Sequence, residues 1–444
     1  MPRKTYSAEV EDLIAHQQEE IKTKNVRFLR CMFSSMCGTY HCMEENANLY
    51  SSICHNGVDV DGSSIGGFAT LTNSDMTLFP DPKTLIFGQS EGEDYAEVIC
   101  MAHSADGSVH PGDPRGILCR VVEKAKKMGF PQVLMFGELE FFLCKKEGLE
   151  PADTAGYCSV PPLDQGGKFR HELMHRFEKS GLKVKRIHHE GSPGQNEVEL
   201  DFTEALENAD AMTRGMQITR EIAAEYGEIC TYSPKPFPHL AGSGTHEHTI
   251  LFDEKGENVF VGPHEGLSDI AHSFIAGLCK YGRDVTSVFA LSDRTFKRLC
   301  PGFEAPIWTG WDIANRSALV RVPRINFASP GKTRIEFRAG DSSGSPYLLS
   351  AMILSAGLKG IEEKLVPNPR GCGFNFDSLT EEKAAEMKIN RLPVSMEESK
   401  AQLAKESDYL KEVLTPHAIE FLKKFSYVEP EGEPFQPGKW RKMH

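Results

Sequence analysis

The chain has 444 residues, 40% of them hydrophobic and 25% charged, which is enough apolar material for a packed core and for roughly two or three domains. Acids outnumber bases 63 to 50, a formal charge of −13. That balance argues against a nucleic-acid partner or a polybasic membrane surface, while leaving room for a local basic pocket.

From the first residue, MPRKTYSAEVEDLIAHQQEE turns acidic and polar and lacks the apolar stretch of a secretory signal. Residues 8–25 carry Val10, Leu13, Ile14 and Ile21 at near-helical spacing and predict a helix. Segments near 26–34, 38–43 and 93–103 read as strands. VDVDGSSIGGFATLTNSDM (58–76), rich in Gly, Ser and Asp, reads as loop and turn throughout. These elements make a small mixed α/β unit that ends near HSADGSVHPGDPRG (103–116). There Asp113-Pro114 is a helix start, Asp as cap and Pro at the first position, for a helix to about Met128. Strands and helices then alternate, with long helices expected between Phe202 and Tyr226 and between Ser345 and Leu365. Residues 379–425 read as mostly helical, and the proline-containing tail from Tyr427 as extended. No apolar run reaches 18 residues, so no membrane-spanning helix is expected. Twelve cysteines without short paired spacings read as the reduced thiols of a cytoplasmic protein. Their one cluster, Cys31, Cys37, Cys42 and Cys54 near His41 and His55, lacks zinc-site spacing and reads as half-buried thiols.

Four segments carry the chemistry. FGELEFFL places Glu138 and Glu140 on one strand parity, and NEVELDF does the same for Glu197, Glu199 and Asp201. GTHEHTI pairs His246 with His248, and TRIEFRAG aligns Arg334, Glu336 and Arg338. Taken singly, each reads as the solvated face of an antiparallel sheet. Taken together they do not, because the residues are Glu, His and Arg, and HHEGSPGQNE adds Glu190 and Glu197 on either side of a Gly-Pro turn. Carboxylates 138, 140, 190, 197 and 336 with His246 on one concave surface would repel one another. Oxygen-ligated Mg²⁺ or Mn²⁺ is the natural compensation. Arginines beside them suit anions, and the combination suggests phosphoryl transfer from a metal–nucleotide complex. GKT at 331–333 lacks the upstream Gly of a phosphate-binding loop, and GSGTHE at 242–247 fails the dinucleotide fingerprint, so a nucleotide site needs another architecture.

The motifs DGSSIGGF (61–68), NSDM (73–76), GELEFF (137–142), GYCSVPPLD (156–164), HHEGSPGQNE (188–197), PKPF with GSGTHEH (234–248), RLCPGFEAP (298–306), NRSALVRVP (315–323), RIEFR (334–338) and PYLLSAMILSAGLKGIEEK (346–364) occur in the order of one family. The chain resembles type I glutamine synthetases over nearly its whole length. The resemblance implies an α+β fold: a β-grasp-like N-terminal domain over 1–105 and a catalytic α/β half-barrel over 106–444 with a helical C-terminal region. It implies an ATP-dependent ligase making glutamine from glutamate and ammonia through γ-glutamyl phosphate. Two or more Mg²⁺ or Mn²⁺ ions per site and ATP as co-substrate follow, with hexameric rings, a dodecamer, and active sites shared between subunits. Glu140, Glu190 and Glu197 resemble the ligands of one metal, and Glu138, His246 and Glu336 those of the other. Gly242, Arg298 and Arg338 match the glutamate site. Asp61, Ser64, Tyr157 and Glu190 match the ammonium pocket, and His248, Arg316, Arg321 and Arg334 the ATP site. Asp61, Glu304 and Arg316 match catalytic positions, Glu304 on a loop that closes over the intermediate.

The chain also departs from the family. Ala241 stands where the glutamate-binding loop usually has Asn, Ile250 where a polar residue follows the second His, and Ser345 where Asn precedes Pro-Tyr. NFD (375–377) lacks the Tyr that some members adenylylate, and Thr70 replaces an arginine used for feedback inhibition. These differences keep two alternatives open: a ligase joining glutamate to an organic amine, and a catalytically silent homologue. The silent reading predicts lost metal ligands, whereas all six are present.

Overall fold

The computed structural model describes residues 3–90, 92–326 and 328–427. The first unit comprises α1 (Ala8–Thr23), β1 (Phe28–Ser34), β2 (Tyr40–Asn46), α2 (Tyr50–Asn56), β3 (Val58–Asp61), β4 (Asp75–Pro80), β5 (Ile86–Ser90) and β6 (Glu93–Ser104). Its strands run in the order β2-β1-β6-β4-β3, with β5 also on β6 and with β1 and β6 parallel. Ile14 and Ile21 of α1 pack with Leu29, Tyr50, Leu78 and Val98 into a core on one face of this sheet. Alternation thus becomes burial, as the pleat requires.

One sequence expectation fails here. Segment 58–76 is not loop throughout, because Val58–Asp61 pairs antiparallel with β4, Val58 opposite Leu78 and Asp61 opposite Asp75. The hydrogen bonds of a later strand supply what four residues of mixed polarity do not signal alone. Of the tail expectation, Tyr427 bridges to Ser292, and residues 428–444 lie outside those described.

The second unit follows Asp113, whose Oδ1 accepts the Gly116 N–H and caps the helix as expected. It contains α3 (Pro114–Lys127), β7 (Gln132–Lys145), α4 (Gly167–Lys179), β8 (Val184–His189), β9 (Gln195–Leu200), β10 (Thr203–Glu204), α5 (Ala205–Glu225), β11 (Glu228–Thr231), β12 (Glu247–Phe252) and β13 (Val261–His264). Next come α6 (Asp269–Phe289), α7 (Asp293–Arg298), β14 (Trp311–Ile313), β15 (Val320–Val322), β16 (Ile335–Phe337), α8 (Pro346–Glu362), α9 (Glu381–Glu386), α10 (Met396–Ala404), α11 (Asp408–Val413) and α12 (Pro416–Lys424). The sheet runs β14-β15-β16-β12-β7-β9-β8, and β7 also pairs β10 and β11. Helix α8 is buried along most of its length between α6, α3 and α5, with Ser350 donating to Glu247 of β12. The apolar side chains of the sheet pack against helices, and its polar face is free to line a cavity.

Arg115 joins the two units. Its Nε and Nη2 donate to Asp210 of α5, and Nη2 also donates to Asp81 of the first unit, all at 2.9 Å. Arg214 repeats the tie through Glu97 at 2.7 Å. Both guanidiniums are buried, and their desolvation is offset by the bidentate pair of Arg115 with Asp210 and by the bonds of Arg214 to Glu97 and to the Thr84 carbonyl. No helix among the described residues is long and apolar enough to cross a membrane, and all twelve cysteines are free thiols.

Candidate active site

Register builds the site. On β7, Glu138 and Glu140 face one way while Leu139 and Phe141 enter the core. Antiparallel pairing sets Glu199 opposite Glu138 and Glu197 opposite Glu140. Carboxylates directly opposed across a ladder repel, so this face is stable only where counter-charge reaches it. On the other side of β7, β12 brings His248 opposite both Phe136 and Glu336. Beyond β12, β15 places Arg321 beside Glu336. Two details differ from the sequence pattern. Asp201 lies past the end of β9, and Arg334 and Arg338 flank β16 rather than lie within it.

The resulting cavity is about 750 Å³ and takes in Glu138, Glu140, Tyr157, Glu190, Glu197, Gly242, His246, Arg298, Glu304, Arg316, Arg321, Glu336 and Arg338. His248 and Arg334 stand behind it. His248 stacks on Phe136 with ring centroids 4.1 Å apart, its Nε2 lies 2.9 Å from Glu138 Oε1, and Arg334 Nε donates to its Nδ1 at 3.2 Å. Asp61 and Ser64 are not brought to the cavity of their own chain. They sit on an exposed turn of the first unit, where Asp61 accepts from Ser63 and Ser64 at 2.6–2.9 Å.

Three sets of side chains among the described residues have ligand atoms within 4.8 Å of one another: Glu138, His246 and Glu336; His188, Glu190 and Glu197; and Glu138, Glu197 and Glu199. The first is the expected set of three. In the second, His188 stands 3.6 Å from both Glu190 and Glu197, where Glu140 was expected. Oxygen Oε2 of Glu140 is instead engaged by the Gly244 N–H at 2.8 Å and Gln195 Nε2 at 3.4 Å. Glu199 is held by Lys185 at 2.7 Å and Arg186 at 3.2 Å. Sequence reasoning left His188 and Gln195 out of the site, and left Glu199 as one more residue on a charged strand. The parity of Glu199 with Glu197 was the available signal.

The electrostatics divide the acids. Burial disfavours ionising Glu138, but His246 and His248 outweigh it and hold the carboxyl well below its usual range. Burial likewise opposes Glu336, yet Arg338 at 2.5 Å leads the cations that pull it down to about 2. Glu190 is pushed up to about 8 by burial and then by Glu140, and Glu197 is pushed well up by burial, Glu138 and Glu140. Glu190 Oε2 is also buried without a hydrogen-bond partner among the described residues. Unsatisfied oxygen donors at this density suit a hard divalent cation.

Glu304, at φ +55°, lines another side of the cavity, and its Oε2 lies 3.3 Å from Arg316 Nη1. Arg338 donates from Nη2 to the Glu304 carbonyl and from Nε to the Arg316 carbonyl, both at 3.1 Å. Arg298 donates to the carbonyls of Ala339 and Arg338. Tyr157 is 61% exposed, its ring edge-on to His188 at 5.5 Å.

Residues 25–104 match the glutamine synthetase beta-Grasp domain family, and residues 111–441 match the glutamine synthetase catalytic domain family. The chain is 35% identical to a glutamine synthetase of Thermus thermophilus, covering 89% of this chain and 90% of the relative. It is 35% identical to one of Staphylococcus aureus, covering 94% and 93%. Among solved structures it is similar to a glutamine synthetase of Plasmodium falciparum, with a TM-score of 0.83 at 24% identity over 95% of this chain and 96% of that one. It is also similar to a GmaS in complex with ADP, with a TM-score of 0.82 at 26% identity over 91% and 94%.

Proposed function

The chain belongs to the glutamine synthetase family, and we propose that it joins glutamate to ammonia with cleavage of ATP, forming glutamine through γ-glutamyl phosphate. The observation that carries this reading is the meeting of mutually repelling carboxylates with Arg298, Arg316, Arg321 and Arg338 in one cavity. A carboxylate is a poor electrophile, and phosphorylation converts it into an acyl phosphate with a good leaving group. Mg²⁺ or Mn²⁺, when bound, would supply charge neutralisation at the transferring phosphoryl group.

In this reading Glu140, Glu190 and Glu197 hold one ion and Glu138, His246 and Glu336 a second. The orphaned oxygen of Glu190 supports the first set, and the tight grouping within 4.8 Å supports the second. Arg316 and Arg321 meet the phosphates, and the buried Arg321 Nε has no hydrogen-bond partner among the described residues. His248 and Arg334 back the nucleotide end. Arg298, Arg338 and the Gly242 backbone hold glutamate. Tyr157 and Glu190, with Asp61 and Ser64, form an anionic pocket that captures ammonium, and Asp61 takes its proton as general base. Since Asp61 and Ser64 lie outside the cavity of their own chain, this reading requires a second copy to deliver them. That requirement supports self-association, and the reading places the chain in hexameric rings, paired into a dodecamer, in the cytoplasm. Glu304 closes the site and keeps water from the acyl phosphate.

A second reading, ligation of glutamate to an organic amine, is supported by the likeness to GmaS and by Ala241, whose methyl replaces a polar side chain at the glutamate loop. The experiment that separates the two is phosphate release from ATP with glutamate and a panel of ammonia, hydroxylamine, methylamine, ethanolamine and putrescine. Ammonia and hydroxylamine are expected to lead. A clear preference for an amine assigns the chain to the second reading.

A further inference from the structure

Gln195 opens β9 just after the turn that follows Glu190, is 1% exposed, and is absent from the roles discussed so far. Its side chain ties three separate pieces of the site together. Nε2 donates to the Gly242 carbonyl at 3.0 Å and to Glu140 Oε2 at 3.4 Å, while Oε1 accepts the Ser192 N–H at 3.2 Å. Ser192 completes the tie, because its Oγ accepts the Ala241 N–H at 2.9 Å. The backbone carbonyl of Gln195 accepts the Glu190 N–H at 2.8 Å, so Glu190 is set by the same residue.

The opposite side of loop 242–244 rests on Arg298. A methyl group at Gly242 would come 2.8 Å from Arg298 Cγ, and one at Gly244 would come 2.6 Å from Arg298 Nη2. The loop is therefore clamped between a guanidinium and a carboxamide. With Ala at 241, it offers no polar side chain at that position to a bound acid. Whatever it contributes there must come from backbone groups, and their orientation is fixed by Gln195, Ser192 and the Gly244 N–H on Glu140. A buried amide with its donor and acceptor both paired is a rigid connector, and removing it leaves the partners unsatisfied.

We propose that Gln195 is a positioning residue that registers the acid-substrate loop, through the Gly242 carbonyl, against the Glu140 carboxylate. The proposal rests on the glutamate-ligase reading. It specifies that acid-substrate affinity and the set of Glu140 are coupled through one side chain, while the nucleotide end of the cavity is not.

The test uses Gln195→Met, which keeps volume and loses both polar functions. Ser192→Ala serves as a milder second variant that loses only the Ala241 contact. In the full-length protein with ATP, Mg²⁺ and ammonia, Gln195→Met is expected to raise the glutamate KM about tenfold, with the ATP KM changed less than about twofold. Ser192→Ala is expected to shift the glutamate KM about threefold in the same direction. A purely structural role would instead lower the thermal midpoint and the active fraction, leaving both KM values alike. Equal changes in the two KM values, or an unchanged glutamate KM, overturn the proposal. Hydrogen exchange gives an activity-independent readout: amides of 240–245 are expected to exchange faster in Gln195→Met, while those of α6 and α8 keep their wild-type rates. Unchanged exchange in the loop overturns the tether whatever the reaction. A wild type that turns over no glutamate, with loop exchange altered as stated, overturns the ligase reading and leaves the tether standing.

Discussion

Glu138 and Glu199 stand directly opposite one another on antiparallel strands, two carboxylates on the same face of one sheet. Glu140 and Glu197 repeat the arrangement two residues further on. Lys185 and Arg186 attend Glu199, and His246 and His248 attend Glu138. Among the described residues, the ion-pair partner within 4 Å of Glu190 and Glu197 is His188, at 3.6 Å from each, and Arg316 acts on Glu190 from further away.

The deficit in counter-charge predicts a metal response. Mg²⁺ or Mn²⁺ should raise the thermal midpoint of the nucleotide-free protein, and chelation should reverse the gain, because an ion that binds only the folded state stabilises it by mass action. At about 100-fold over its dissociation constant the ion adds about 2.7 kcal/mol. Glu190→Gln should remove part of the response. A midpoint indifferent to divalent ions in calorimetry would refute the two metal sets.

Glu336 is expected to matter twice. It is buried and receives Arg321 at 2.6 Å and Arg338 at 2.5 Å. Glu336→Ala leaves two guanidiniums without their anion, at a cost of about 3–5 kcal/mol, and removes one of the three expected ligands. ATP-dependent transfer should vanish and the thermal midpoint should fall. Normal turnover in this variant would contradict the metal assignment.

Arg115 holds the two units through Asp81 and Asp210, and Tyr347 donates to the same Asp210 at 2.7 Å. Arg115→Met should destabilise by about 3 kcal/mol or more, since Asp210 remains buried without its cation. Thermal unfolding should show the first unit melting earlier than the second. A single unshifted transition would show that the tie contributes nothing.

His110 gives a pH dependence with a definite sign. Its Nδ1 accepts the Gly112 N–H at 3.0 Å, and burial, followed by the nearby His417, pushes its pKa down to about 4. The folded protein therefore holds this ring neutral, whereas the unfolded chain protonates it near 6.5. Between about pH 6.5 and 4 the unfolded state binds more protons, so stability falls as pH falls through that window and is retained above it. His110→Asn, which keeps an acceptor and does not titrate, should flatten the slope of thermal midpoint against pH.

How much of this was legible in sequence depends on the range of the interaction. The Glu138/Glu140 and Glu197/Glu199 alternation is a local signal, and the sheet honours it through register. The Asp113-Pro114 helix start is local as well. Strand β3 was missed because its pairing partner lies 14 to 20 residues onward, Asp61 opposite Asp75 and Val58 opposite Leu78. The role of Gln195 was missed for the same physical reason: its side-chain partners Glu140 and Gly242 are 55 and 47 residues away. A glutamine that follows a Pro-Gly turn gives no sign of burial. The family resemblance reached residues that pattern alone could not, Tyr157 and Arg298 among them, and the cavity contains both.

Arg338 has a consequence for anyone reshaping this enzyme. Its three nitrogens contact the Arg316 carbonyl, the Glu336 carboxylate and the Glu304 carbonyl, so three stretches of chain are machined to a single planar gauge. Transplanting residues 301–305 alone from a homologue would import a loop cut to a different template. A working graft has to carry 316 and 336–338 with it, as one inherited block.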